Sequence, residues 1–186
     1  MTRLNLTNHF LISMPSLADP NFHQTVTLLC AHNEDGAMGI VINRPLELEL
    51  GEVLAQMDIT AESDRVQHLH VLEGGPVQRE RGFVIHRPRG DWDAMLPVGG
   101  DIGVTASRDV LSAIAHGEGP EESVVALGYA GWAAGQLERE LSENAWISGP
   151  TDDRILFHTP FEKRWEEALA LLGIDQNMLS SDAGHA

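Results

Sequence analysis

A chain of 186 residues with 42% apolar content is long enough to bury one substantial core without help from disulfides or metal, as one domain or as two small lobes sharing that core. Its 28 acidic residues against 12 basic ones give a formal net charge of −16, a field that repels a nucleic-acid backbone at long range. Cys30 is the only cysteine, which excludes an intrachain disulfide, and no run of about 18 apolar residues offers a membrane-spanning helix.

From Met1 to Ser16 the chain carries Arg3, several polar residues and only the short apolar run Phe10-Leu11-Ile12, which is too short for a secretory signal. The expected location is the cytoplasm. Thr25 to His32 then alternates, with Val26, Leu28, Cys30 and His32 on one face. Asn33-Glu34-Asp35-Gly36 supplies turn residues, and Ala37 to Asn43 returns as a second strand that Pro45 stops. A short helix is predicted over Gly51 to Met57.

Strands are predicted at His68 to Leu72, Gly82 to His86, Ile102 to Thr105, Ser123 to Leu127, Ala145 to Ser148 and Ile155 to His158. Ser107 stands where a cap is needed for a helix from Arg108 to His116, which Gly117 ends. A second helix spans about Ala134 to Glu143. The last is written most fully: Thr159-Pro160-Phe161-Glu162 reads as a capping box with proline at the first helical position. Trp165, Ala168, Leu169 and Leu172 form its apolar stripe, with Gly173 as the stop. Strands and helices mix without strict βαβ alternation, which predicts an α+β fold with a mixed sheet, a single compact domain over residues 1–186.

Several further segments stand out when the chain is read in order. They are His9-Phe-Leu-Ile-Ser-Met-Pro15, Asp19-Pro20, His32-Asn33 and Gly36-Ala-Met-Gly-Ile-Val-Ile-Asn-Arg-Pro45. Gly74-Gly-Pro-Val77, Ser107-Arg-Asp-Val-Leu111, Leu127-Gly-Tyr-Ala-Gly-Trp132 and Gly135-Gln-Leu-Glu138 follow. Asn144-Ala-Trp-Ile147, Ile155-Leu-Phe157, Arg164-Trp165 and Gly184-His-Ala186 complete the set. Together these segments resemble the YqgE/AlgH family of bacterial proteins, and the resemblance implies an α+β fold whose mixed sheet is partly barrel-like, with flanking helices. Some members carry a label of transcriptional regulator, but the resemblance brings no reaction, cofactor or catalytic residue set.

The residues offer several candidate sites, each with a plainer reading beside it. Cys30 and His32 invite a thiolate–imidazole pair, yet residues two apart on a strand are separated by about 6.5–7 Å, beyond hydrogen-bond reach. A buried apolar cysteine is the preferred reading. His68 and His70 with Glu73 lack the further ligands a metal site needs. Gly74 and Gly75 before Pro76 fit either an anion-binding backbone nest or a tight turn.

The run from Gly128 to Glu138 follows a predicted strand and opens a helix, where glycines admit either an anion or close packing around Trp132. It matches neither a dinucleotide nor a Walker fingerprint. Arg79, Arg81, Arg87 and Arg89 interrupt the acidic background and suit either a phosphate or acidic partner, or a charged strand edge. Asn43 and Arg44 close the first hairpin, where they would line a cleft with Gln136.

No metal, cofactor or catalytic set is expected. Candidate ligand-binding residues are Asn43, Arg44, Gly74, Gly75, Gly131, Trp132 and Gln136. The leading functional reading is a non-catalytic regulatory or interaction domain that binds a protein or small-molecule ligand. The alternative is an enzyme with a cleft at Asn43, Arg44, Trp132 and Gln136. Direct DNA binding ranks last, because no helix pair carries basic residues in a helix-turn-helix pattern.

Overall fold

A ten-stranded sheet that curls on itself carries the whole structure. The computed structural model describes residues 5–14, 20 and 22–174, so the motif residues Pro15, Asp19 and Gly184–Ala186 lie outside the described residues. The strands are β1 (His9–Ser13), β2 (Val26–Asn33), β3 (Gly36–Val41), β4 (Pro45–Glu49), β5 (His70–Glu73), β6 (Val77–Arg87), β7 (Met95–Gly99), β8 (Ile102–Thr105), β9 (Glu122–Ala133) and β10 (Trp146–Pro150). Their spatial order is β10-β1-β2-β3-β9-β6-β8-β7, with β5 beside β9 and β4 beside β5. Every pairing is antiparallel except β5 with β9, so the sheet is mixed.

Strand β9 decides this topology. Along one edge it pairs with β6; along the other, its first half takes β5 (Val71 opposite Val125) and its second half takes β3 (Gly39 opposite Ala130). The sheet therefore forks at Gly128, whose φ of 79° only glycine adopts without strain. Gly74 fills the fork, donating its N–H to the Leu127 carbonyl at 2.7 Å and accepting from the Val41 N–H at 2.8 Å. At the far end β7 comes round towards β1 and β2: Val98 joins the same core as Phe10 and Val26, and a Cβ on Gly99 would lie 2.5 Å from the Asn8 side chain.

Period-two alternation sorts the buried residues between the two faces. Leu72, Phe83, Ile85, Val124 and Ala126 enter the main core, while their neighbours Val71, Val84 and Val125 enter a second core on the other side. The main core is covered by α5 (Asp153–Phe157) and α6 (Arg164–Leu171) through Ile155, Leu156, Trp165 and Leu169. The second is covered by α1 (Leu50–Gln56), α2 (Asp64–Gln67) and α3 (Arg108–Ala115). A third cluster joins α4 (Gln136–Ser142) to Leu11, Leu29, Trp132 and Trp146. The architecture is α+β with a mixed sheet, as the sequence patterning predicts, and its half-barrel sheet with flanking helices is what the family resemblance implies.

Several local expectations are corrected. Residues 155–157 are helical and His158 caps their end, because Asp152 caps the start of α5 by accepting the Ile155 N–H at 3.0 Å; a short apolar run fits strand and helix alike until its cap is read. Gly128–Trp132 is strand rather than a turn before a helix, since β9 runs on to Ala133. The second strand stops at Val41, short of Asn43, and Pro45 does not end it but opens β4, an edge position where its missing N–H costs no ladder bond. The Thr159 capping box does not form: Phe161–Lys163 makes a 3₁₀ turn ahead of α6, and the Thr159 hydroxyl is buried without a hydrogen-bond partner. Ser107 does stand at the N-cap of α3, but its hydroxyl turns to Asp109 instead of to a backbone N–H. Strands β1 and β7 and the short α2 are additional to the predicted elements.

One buried cation ties the last helix to the sheet. Arg164, 2% exposed, donates to the Ile42 carbonyl at 2.7 Å and to the Thr159 carbonyl at 2.8 Å, with its guanidinium 4.7 Å from the Phe161 ring centroid. Burial lowers its pKa from 12.5 to about 10, which leaves it charged at neutral pH.

Candidate functional site

Where β3, β9 and β6 lie side by side, the fringe of the main core reaches the surface and leaves a groove of about 590 Å³. Its lining is Ala37 and Met38 from β3, Tyr129, Gly131 and Trp132 from β9, and Val77, Arg81 and Phe83 from β6. Met38 pairs directly with Gly131, and Ala37 with Trp132. Phe83 meets Tyr129 edge to face, ring centroids 5.8 Å apart, and the Arg81 guanidinium lies 5.4 Å from the Phe83 centroid. Between Val77 and Gly82 the β6–β9 register shifts, so Gln78 to Arg81 stand out from the sheet as an exposed bulge beside the groove.

The glycines around this groove separate into two kinds. A Cβ on Gly74 or Gly75 would collide with the backbone of Gly128 and Tyr129, and one on Gly128 would lie 2.5 Å from the Gly75 carbonyl oxygen. These three are glycines because backbone packs on backbone. Gly131 is exposed and has no left-handed φ, and a Cβ there would meet only the edge of the Tyr129 ring at an ordinary 3.6 Å. Nothing in the packing requires glycine at 131. A strand glycine without a packing reason leaves the backbone open to close approach by a ligand or another chain.

Behind the groove, Glu140 organises the aromatic cluster. Its Oε1 accepts from the indole N–H of Trp132 at 3.0 Å and of Trp146 at 2.9 Å, and its Oε2 accepts from the Gln136 amide at 2.9 Å. Gln136 returns its own oxygen to the Ala133 N–H. Phe22 completes the cluster, 6.1 Å from Trp132 and 5.4 Å from Trp146. Trp132 and Gln136 are thus brought together, and a carboxylate that sequence spacing did not single out is what joins them.

Asn43 and Arg44 lie beyond the other end of β3. Asn43 accepts from the Val26 N–H at 3.0 Å and donates to the Gln24 carbonyl at 2.9 Å, while Arg44 donates to the His23 carbonyl at 3.0 Å. They close the first hairpin rather than joining Trp132 and Gln136 in one cleft. The link between the two pairs is the stretch from Phe22 to Gln24, which stacks on the tryptophans at one end and holds Asn43 and Arg44 at the other.

Cys30 and His32 do not share a face. The β2–β3 register skips Cys30, a β-bulge that turns the following residues over. Cys30 sits in the main core, and burial pushes its thiol pKa from 9.0 up to about 12. His32 points the other way, accepting the Leu6 N–H at Nδ1 and meeting Glu138 at Nε2, 3.1 Å away. His68 is exposed and bonded to Glu49, His70 packs edge-on against Phe161, and among the described residues no cluster of three metal-ligating side chains forms.

The arginine stretch divides. Arg87 pairs with Glu122 and Asp153, and His158 also meets Glu122, so these charges clamp α5 to the end of β6 and β9 beside a depression of about 320 Å³. Arg79 is 4.0 Å from Glu73. Arg81 alone of the four lines the groove. Ala37, Met38, Val77, Phe83 and Tyr129 are the groove residues that sequence reasoning did not select; the strands predicted at Ala37–Asn43 and Gly82–His86 hold three of them, but not beside each other.

With this geometry in hand, comparison with known proteins is informative. A family model described as AlgH-like matches residues 10–177. A UPF0301 protein of Thioalkalivibrio sulfidiphilus is 54% identical, the match covering 98% of this chain and 97% of that one. The solution structure of the AlgH protein from Pseudomonas aeruginosa is 51% identical, with a TM-score of 0.82 over 100% of this chain and 98% of the other. A crystal structure of a Corynebacterium diphtheriae protein, 18% identical, shares the fold with a TM-score of 0.69 over 91% of this chain and 88% of its own.

Proposed function

The chain belongs to the AlgH-like family, and from that premise we propose that it is a non-catalytic binding module whose ligand or partner seats in the groove between β3, β9 and β6. The observation that carries this reading is Gly131, a bare strand glycine on the groove floor that packing does not need. The lining supports binding rather than chemistry: Met38, Phe83 and Tyr129 supply apolar and aromatic surface, and Arg81 supplies one charge. The groove lining includes no carboxylate, imidazole or thiol to act as a general base or nucleophile. Any regulatory effect then runs through the bound partner, and the net charge of −16 disfavours a direct route through DNA.

A fragment screen followed by backbone amide NMR tests the reading. Fragments that bind should move the amides of Met38, Tyr129, Gly131 and Trp132, and Gly131→Val should abolish those shifts while leaving the protein folded. Fragments that bind elsewhere, or that bind Gly131→Val as well as the wild type, would refute it.

A further inference from the structure

Resting on that reading of the groove, we infer that its occupant is an extended segment of a partner protein, one that sets a large apolar or aromatic side chain over Gly131 and a neighbouring carboxylate against Arg81. The apolar half follows from the missing side chain. Met38, Tyr129 and Phe83 flank a position that contributes no atoms of its own beyond the backbone. Methionine and aromatic walls accept varied apolar side chains, the first by flexibility and the second by broad flat faces.

The acidic half follows from Arg81. Its guanidinium lies over Phe83 and, among the described residues, bonds only the Gln78 side-chain oxygen, at a long 3.4 Å. Arg87 pairs with Glu122 and Asp153, Arg154 with Glu167 and Lys163 with Glu166, whereas Arg65, Arg89, Arg108 and Arg139, like Arg81, form no ion pair among the described residues; of these five only Arg81 lines the groove. In a chain with 28 acidic residues, none of those described takes Arg81. A guanidinium offers five N–H donors in a fork that matches one carboxylate, so most of its hydrogen-bonding capacity is directed outward.

The openness of the site selects a polypeptide over a small molecule. Small-ligand sites enclose most of the ligand surface, whereas this groove runs across three strands with both Gly131 and Arg81 exposed to solvent. A side chain delivered by a longer segment needs no enclosure, because flanking residues supply the remaining contacts. A polyanion or a second copy of this chain would face the full −16 field, while a segment with one or two carboxylates meets far less repulsion.

The experiment is a random dodecapeptide display selection on the full chain, run in parallel on wild type, Gly131→Val and Arg81→Glu. Selected sequences are then synthesised and measured by fluorescence anisotropy and amide NMR. Wild-type selections should converge on an aromatic or large aliphatic residue within two positions of Asp or Glu. The synthetic peptides should move Met38, Tyr129 and Gly131, bind more weakly as salt rises, and lose roughly tenfold or more in affinity to Arg81→Glu. Convergence on basic or uncharged peptides that Gly131→Val still abolishes would overturn the acidic segment while leaving the groove as the site. Peptides indifferent to both substitutions, or no convergence at all, would overturn the inference and the groove together. Tighter binding of a twelve-residue oligothymidine than of any selected peptide would overturn the choice of a polypeptide.

Discussion

Replacing Gly131 by valine should make the fold more stable. Valine is favoured on a pleated strand and glycine is not, a difference of roughly 0.5–1 kcal/mol. Its side chain would pair across the ladder with Met38, which adds about 0.2–1 kcal/mol. The only neighbour within 4 Å of the new Cβ is the Tyr129 ring edge at 3.6 Å, so no clash offsets the gain. The sum, about 1 kcal/mol, corresponds to a rise in melting temperature of roughly 2–4 °C for a chain of this length. The same substitution at Gly75 is the contrast. There φ is +157° and the Cβ would run into the Tyr129 backbone, so Gly75→Val should cost several kcal/mol, or about 3 or more. Urea unfolding followed by tryptophan fluorescence, with the slope held as a check on two-state behaviour, measures both. If Gly131→Val were destabilised by more than about 1 kcal/mol, position 131 would be glycine for reasons of packing, and its value as a marker of an approaching partner would vanish.

The remaining predictions concern the groups that hold the fold. Burial lowers the His86 pKa from 6.5, against a smaller opposing effect of its Pro88 carbonyl contact, so the native state binds fewer protons than the unfolded one just below pH 6.5. The His86 contribution is therefore complete above pH 6.5 and lost as pH falls below it, with a slope of up to about 1.4 kcal/mol per pH unit that His86→Gln should remove; equal acid slopes in the two proteins would contradict this. Cys30 behaves oppositely, its pKa raised to about 12: stability should fall as pH rises above 9, and a thiol reagent at pH 8 should label the native protein slowly but label it fully in urea. Rapid native labelling would mean that β2 opens easily. Arg164→Lys keeps the buried charge but not the fork that serves two carbonyls, and should cost about 2–4 kcal/mol in chemical denaturation; a neutral outcome would show that water replaces those bonds.

The elements most legible in the sequence are those whose signal is local. The Asn33 to Gly36 turn, strand β8 and helix α3 with its Gly117 stop come from turn residues, alternation and helical spacing within a dozen residues. Where two readings share one local pattern, the sequence is silent. Ile155-Leu-Phe157 is helix because Asp152 captures the Ile155 N–H, and Cys30 parts from His32 because a bulge inserts one residue against β3. The candidate set was legible in part: Gly131 and Trp132 do line the groove, whereas Gly74 and Gly75 close the fork and Asn43 and Arg44 close a hairpin.

Composition and patterning alone determine that this chain forms an α+β domain with a mixed sheet and carries a strongly negative field, because burial, turn chemistry and charge are properties of residues and their near neighbours. Which glycines serve packing and which lies bare, and that Arg81 stands over Phe83 beside Met38 and Tyr129, depend on strands distant in sequence meeting at the fork of β9. That meeting is set by register between strands, and no local stretch of sequence encodes a register.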